Sequence, residues 1–257
     1  MPNVDSLVGL AVILLTAGVI IAGALLSRGG KVFAPFRPIA ALVRLRQAMG
    51  LGVEEGKRLH ITLGKANILD ANNASALVGL SALERVAQMS MISDRPPVAT
   101  SGAGALALLS QDTLRGVYRR GNATEAYDPD LGRLAGTTAF SYIAGAMPVV
   151  HGEQVAVNII VGNFGPEVAL LTEAAEQNNA FSLAASDSLP AQAVLYASAD
   201  EALIGEELFA LPAYLNGSPV HQASLRAQDL LRWLLVLALI IGMLVKLIEL
   251  FTGVAII

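Results

Sequence analysis

Ser101-Gly102-Ala103-Gly104-Ala105-Leu106-Ala107 fits the G-x-G-x-x-A spacing of a dinucleotide turn. Glycines at that spacing let backbone N–H groups approach a pyrophosphate at the start of a helix. Two other Gly-bearing turns have the same potential: Gly64-Lys65, and Gly162-Asn163-Phe164-Gly165 followed by Pro166. Three things weigh against a nucleotide. The G-x-G turn follows the second expected strand rather than the first. Asp187 does not stand at the spacing at which an acidic residue would meet a ribose. The chain also holds 24 glycines, so such spacings arise by chance. The first reading is therefore tight strand-to-helix turns and no cofactor. The alternative is a phosphate site lined by Ser101, Gly102, Gly104, Gly162 and Gly165.

Other chemistries lack their residues. There is no cysteine, which removes disulfides, thiolate metal sites and cysteine nucleophiles. His60, His151 and His221 are scattered and form no H-x-x-x-H pair, so structural or surface roles are expected. Asp128 and Asp130 flank a proline without the rest of a calcium loop. Neither a G-x-S-x-G elbow nor a G-x-x-x-x-G-K-[ST] loop is present. Glu206-Glu207 reads as a solvated helix face. A non-enzymatic role is the first reading.

The elements that would hold these turns alternate. Strands are expected at Leu59–Leu63, Pro97–Thr100, Val155–Val161, Phe181–Ala185 and Ala193–Tyr196. Helices are expected at Ala74–Ile92, Gly104–Tyr118, Thr137–Val150, Pro166–Asn178 and Asp200–Leu211, the last closed by Pro212, with a loop over Asn122–Gly132. The near-continuous apolar run from Val155 suits a strand covered on both faces. Five strands alternating with helices predict an α/β fold: a Rossmann-like three-layer domain with a mostly parallel sheet.

Two apolar stretches bracket this middle. Leu7 to Leu26 carries no charge, and Leu230 to Val245 is broken only by Arg232. About twenty apolar residues match a bilayer's hydrocarbon core as a helix. The expectation is a transmembrane helix at each end. Ala22-Gly23-Ala24 loosely resembles a signal cleavage site, but no Lys or Arg precedes the run, so a retained helix is the better reading. The resulting organisation is a first span at 1–27, a basic connector at 28–56, a water-facing domain at 57–219, and a second span with its tail at 220–257.

Charge suggests sidedness. Arg28, Lys31, Arg37, Arg44 and Arg46 follow the first apolar run. The positive-inside rule then puts the domain in the cytoplasm, with both termini outside the inner or plasma membrane. The connector from Ile39 to Met49 reads as a basic amphipathic helix, either on anionic lipid or packed on the domain. The net charge is −4, but it is split: Arg28 to Arg120 holds about 13 basic and 6 acidic residues, Gly121 to Leu225 about 1 and 12. Lipid attraction is the first account of this, mutual attraction between copies the second; few aromatics and a negative net charge argue against nucleic acid.

Within the spans, Gly18 and Ala22, and Ala238 and Gly242, are small residues four apart that would allow close helix approach. Trp233 suits an interfacial anchor. Lys246 and Glu249 are charges inside apolar sequence. They would snorkel and pair near the far leaflet or, in an assembly, face a shared lumen.

The layout of N-terminal anchor, basic connector, Gly/Ala-rich α/β domain centred on Val155 to Gly165, Gly217-Ser218-Pro219 and C-terminal span is distinctive. In that layout the whole chain resembles an uncharacterised prokaryotic family of two-span membrane proteins, classed only as a domain of unknown function. The resemblance implies no activity and supplies no site residues. The expected role is a membrane-anchored, self-assembling scaffold, a homo-oligomer with the lipid bilayer as its other partner. The alternatives are a tethered nucleotide-binding or sensing domain, or an oligomeric ion or solute conduit.

Overall fold

The computed structural model describes residues 4–28, 36–68, 73–91, 93–216 and 219–252. Two compact units emerge, one formed by the terminal helices and the other by Phe36–Asn216.

The larger unit is an α/β sandwich. In chain order its elements are α2 (Ala40–Glu54), β1 (Arg58–Gly64), α3 (Asn73–Ser90), β2 (Val98–Ser101), α4 (Gly104–Arg120), β3 (Gly132–Leu134), α5 (Ala139–Gly152), β4 (Val155–Asn163), α6 (Ala169–Gln177), β5 (Phe181–Ser186), α7 (Leu189–Ser198), β6 (Glu201–Leu203) and α8 (Glu207–Asn216). All six strands are parallel, in the order β3-β2-β1-β4-β5-β6. The order reverses between β1 and β4, the position where doubly wound folds open a crevice at the strand ends.

Alternation of side chains sorts the core into two faces. Leu59, Ile61, Leu63, Val157, Ile159, Val161 and Leu183 pack with the buried faces of α2, α3, α4 and α8. Ile160 and Ala184 pack on the other face with Tyr142, Ile143, Leu171 and Leu195 from α5, α6 and α7. Gly79 lets α3 lie close on the sheet: a Cβ there would stand 3.1 Å from Val161 O. Thr138 and Ser141 form a capping box at the start of α5, and Asn179, at φ 52°, follows the end of α6 as a left-handed cap.

Three expectations are corrected here. Among the described residues there are six strands, not five. Ala193–Tyr196 lies inside α7 rather than forming a strand, because Ala191, Gln192 and Leu195 are buried at helical spacing while Ala193 and Tyr196 face outward. The two strands not expected are β6, inside the stretch read as helix from Asp200, and β3, at the end of the expected loop; each is a three-residue edge strand, too short to show alternation. The final helix accordingly begins at Glu207, and Pro212 lies within it.

The other unit pairs α1 (Val4–Arg28) with α9 (Pro219–Thr252). One helix, over Val220–Leu247, is long and apolar enough to cross a membrane. Within α1, a 25-residue helix, the described apolar stretch is Gly9–Leu25. Among the described residues one helix meets that measure, rather than one at each end.

Candidate functional site

At the switch point the ends of β1 and β4 touch backbone to backbone. Gly64 has φ +76°, and a Cβ on it would lie 2.5 Å from Asn163 O. Gly162 is opposed in the same way to Leu63 O and Gly64 N. The pairing slips between Thr62 and Gly64, so Gly64 meets Asn163. Lys65 N then donates to Asn163 O at 3.0 Å, Gly102 N to Gly64 O at 2.8 Å, and Ala135 N to Ser101 O at 2.9 Å. The amides at the exits of β1, β2 and β3 are thus bonded within the chain.

A carboxylate completes the closure. Glu167 sits in the 3-10 turn Pro166–Val168 that leads into α6. It accepts from Gly165 N at 3.2 Å and from Lys65 Nζ at 2.7 Å, with its side chain 8% exposed. Burial would raise its pKa, but the Lys65 hydrogen bond, its own and the Gly165 amides, and the Lys65 charge outweigh that and hold it below the usual value. A Cβ on Gly165 would collide with this carboxylate. Gly165 therefore makes room for Glu167, and Glu167 occupies the helix-start position where a phosphate would bind. Beside it Asn163 Nδ2 donates to Asp187 Oδ1 at 2.7 Å.

Behind the crevice runs a buried polar chain with no motif to announce it. His60, Thr62, Thr100 and Asn158 are buried on β1, β2 and β4, on the sheet face that meets α5 and α6 through Tyr142 and Leu171. His60 Nδ1 lies 2.8 Å from Asn158 Oδ1, His60 Nε2 2.9 Å from Thr100 Oγ1, Thr100 Oγ1 2.7 Å from Thr62 Oγ1, and Thr62 Oγ1 2.8 Å from Tyr142 Oη. Asn158 Nδ2 donates to Leu171 O, so its oxygen faces the ring. That fixes the direction. His60 donates from Nδ1 and accepts at Nε2 from Thr100, which accepts from Thr62, which accepts from Tyr142. The Gly64 amide donates to Tyr142 Oη at 3.2 Å and closes the chain at the crevice. Burial is the main reason the His60 pKa is lowered to about 4, which keeps the ring neutral as this direction requires.

The five residues considered for a phosphate site stand as follows. Gly162, Gly165 and Gly102 are engaged in the contacts above. Ser101 is buried, its hydroxyl donating to Arg133 O. Gly104 is exposed at the start of α4, where Ala103 supplies no side-chain cap. Among the described residues no three His, Asp or Glu side chains converge as a metal would need.

Helix α2 of the basic connector is part of the domain. Ala41, Leu42, Leu45 and Met49 of α2 are buried on the sheet, so of the two settings considered for this helix the structure shows the second. Arg44 pairs with Glu201, and Arg46 donates to Tyr214 O. Arg37 is exposed, and its carbonyl accepts from Tyr214 Oη. The Arg28 side chain, Lys31 and the Glu249 side chain lie outside the described residues.

In the helical pair, Gly18, Ala22, Trp233, Ala238, Gly242 and Lys246 are exposed. A Cβ on Gly18 or Gly242 would meet nothing within 4 Å. The close approach within the chain is elsewhere: Gly23 lies against Ala223, 3.1 Å from a Cβ built there. Sequence inspection missed it because the chosen pairs sat deeper in the apolar runs.

Fold and site define the class: an α/β protein with a doubly wound, six-stranded parallel sheet and, in the same chain, a helix able to cross a membrane. Over residues 2–257 the chain matches the family described as a domain of unknown function, DUF6754, and it belongs to that family. No curated protein and no solved structure matches it.

Proposed function

We propose that the chain is a membrane-anchored scaffold that self-assembles and acts through its surfaces rather than through the strand-end crevice. The observation that carries this is the closure at the switch point. The Lys65, Gly102 and Gly165 amides are already bonded, and Glu167 occupies the Lys65 ammonium and Gly165 amide that a nucleotide phosphate would need. The outward-facing Gly18 and Gly242 give the helical pair small-residue faces that a neighbouring copy can approach closely. The finer reading has both α1 and α9 crossing an inner or plasma membrane of a prokaryotic cell. The domain is then cytoplasmic, both termini are outside, and nucleic acid is not a partner.

Nucleotide binding is the second reading, and it rests on the uncapped, exposed start of α4 at Gly104. A thermal-shift screen of the detergent-solubilised chain with nucleotides separates the two. The scaffold reading expects no change in midpoint and no altered response in Gly104→Val. A nucleotide-dependent rise that Gly104→Val abolishes would establish the second, since a ligand bound to the native state raises its stability.

A further inference from the structure

Three arginines line an open cleft between α3 and α4, at the opposite end of α4 from the glycine turn that starts it. The cleft measures about 450 Å³ and is lined by Arg115, Arg119 and Arg120 together with Thr113, Gly116, Glu84 and Asp112. Arg115 and Arg119 are one helical turn apart on α4, so they share a face. Arg120 is bonded to Glu84 across the two helices at 2.5 Å. Neither Arg115 nor Arg119 forms an ion pair among the described residues. Arg119 and Arg120 lie in the last turn of α4, where cations oppose the helix dipole. That does not account for Arg115, which sits a turn earlier.

We infer that this cleft binds a phosphate group. Guanidinium forks match phosphate oxygens two at a time, and the Thr113 hydroxyl adds a neutral donor. Arg120 neutralises Glu84 and the Asp112 carboxylate opposes one more charge, so three arginines against two carboxylates leave the lining with a net charge of +1. The phosphate comes either from a soluble phosphorylated compound or from a lipid headgroup. The site is independent of assembly.

The test is calorimetric titration of inorganic pyrophosphate into the full chain in phosphatidylcholine nanodiscs. The double variant Arg115→Gln/Arg119→Gln weakens binding by about tenfold or more. Gly116→Glu does the same by putting a carboxylate in the cleft. A Cβ at Gly116 stands 3.6 Å from Arg120 Nη1, an ordinary contact, so the helix tolerates it. Arg37→Gln, which removes an exposed charge outside the cleft, leaves affinity unchanged. Phosphatidic acid in the discs competes with pyrophosphate if a headgroup is the natural source and does not if a soluble phosphate is. Absence of pyrophosphate binding, equal affinity in the double variant, or an equal loss in Arg37→Gln would overturn the assignment.

Discussion

His60 is the residue whose environment makes the sharpest demand on solution behaviour. Its pKa is lowered from 6.5 to about 4 by burial. Above pH 6.5 the ring is neutral in both folded and unfolded chains and adds no pH dependence. As pH falls from 6.5 towards 4, the unfolded chain takes up a proton that the folded one refuses, so stability drops. Over that window the loss is roughly 3 kcal/mol, and it levels off once the folded ring also protonates. The melting temperature of the detergent-solubilised chain should fall across this range, and His60→Gln should flatten the slope; an unchanged slope in the variant would assign the pH dependence elsewhere. Glu167 acts in a lower window. Its folded pKa is depressed, so its contribution is complete above the ordinary carboxylate value and disappears as pH falls below it. Glu167→Gln leaves Lys65 without its charged partner and should cost about 1–3 kcal/mol at neutral pH. If thermal unfolding shows no loss, the Lys65–Glu167 pair is not what closes the crevice. The turns at Gly64, Gly102 and Gly165 were legible as tight strand exits. Glu167 and the His60 chain were not, because a carboxylate two residues past a glycine and a threonine on a strand carry no signature until the sheet aligns them.

At the scale of elements, long periodic segments were readable and short edge pieces were not. The β4 run Val155–Asn163 declares itself through its unbroken apolar sequence, buried on both faces as a central parallel strand should be. The edge strands β3 and β6 have three residues each and owe their conformation to pairing with β2 and β5. Over Ala193–Tyr196 a short apolar run fits strand and helix alike, and only the burial of Ala191 and Leu195 one turn apart decides it. Helix α2 shows the opposite ambiguity: its pattern was read correctly, but an apolar face cannot say whether lipid or sheet covers it. Leu45, fully buried on the sheet, provides the check. Leu45→Ala should destabilise the chain by about 2–5 kcal/mol, whereas truncating the exposed Val43 should change little. Equal, small effects in equilibrium unfolding would return α2 to the membrane surface.

For the whole molecule, the sequence conveyed the plan of apolar helix, α/β body and apolar helix. The strand order was hidden, because connections fix handedness and parallelism but not which strands become neighbours. The terminal helices run Val4–Arg28 and Pro219–Thr252. With the crevice closed by Glu167 and by paired backbone, the account assigns function to surfaces presented in several copies. Closed symmetric assemblies are the usual outcome of such self-association. The conduit alternative depends on Lys246 within such an assembly: Lys246→Leu should leave solute flux through reconstituted vesicles unchanged, and a changed flux would favour the conduit. The most direct test of the account is native mass measurement of the full chain extracted in mild detergent. It predicts particles holding more than one copy; a strict monomer at every concentration would contradict it.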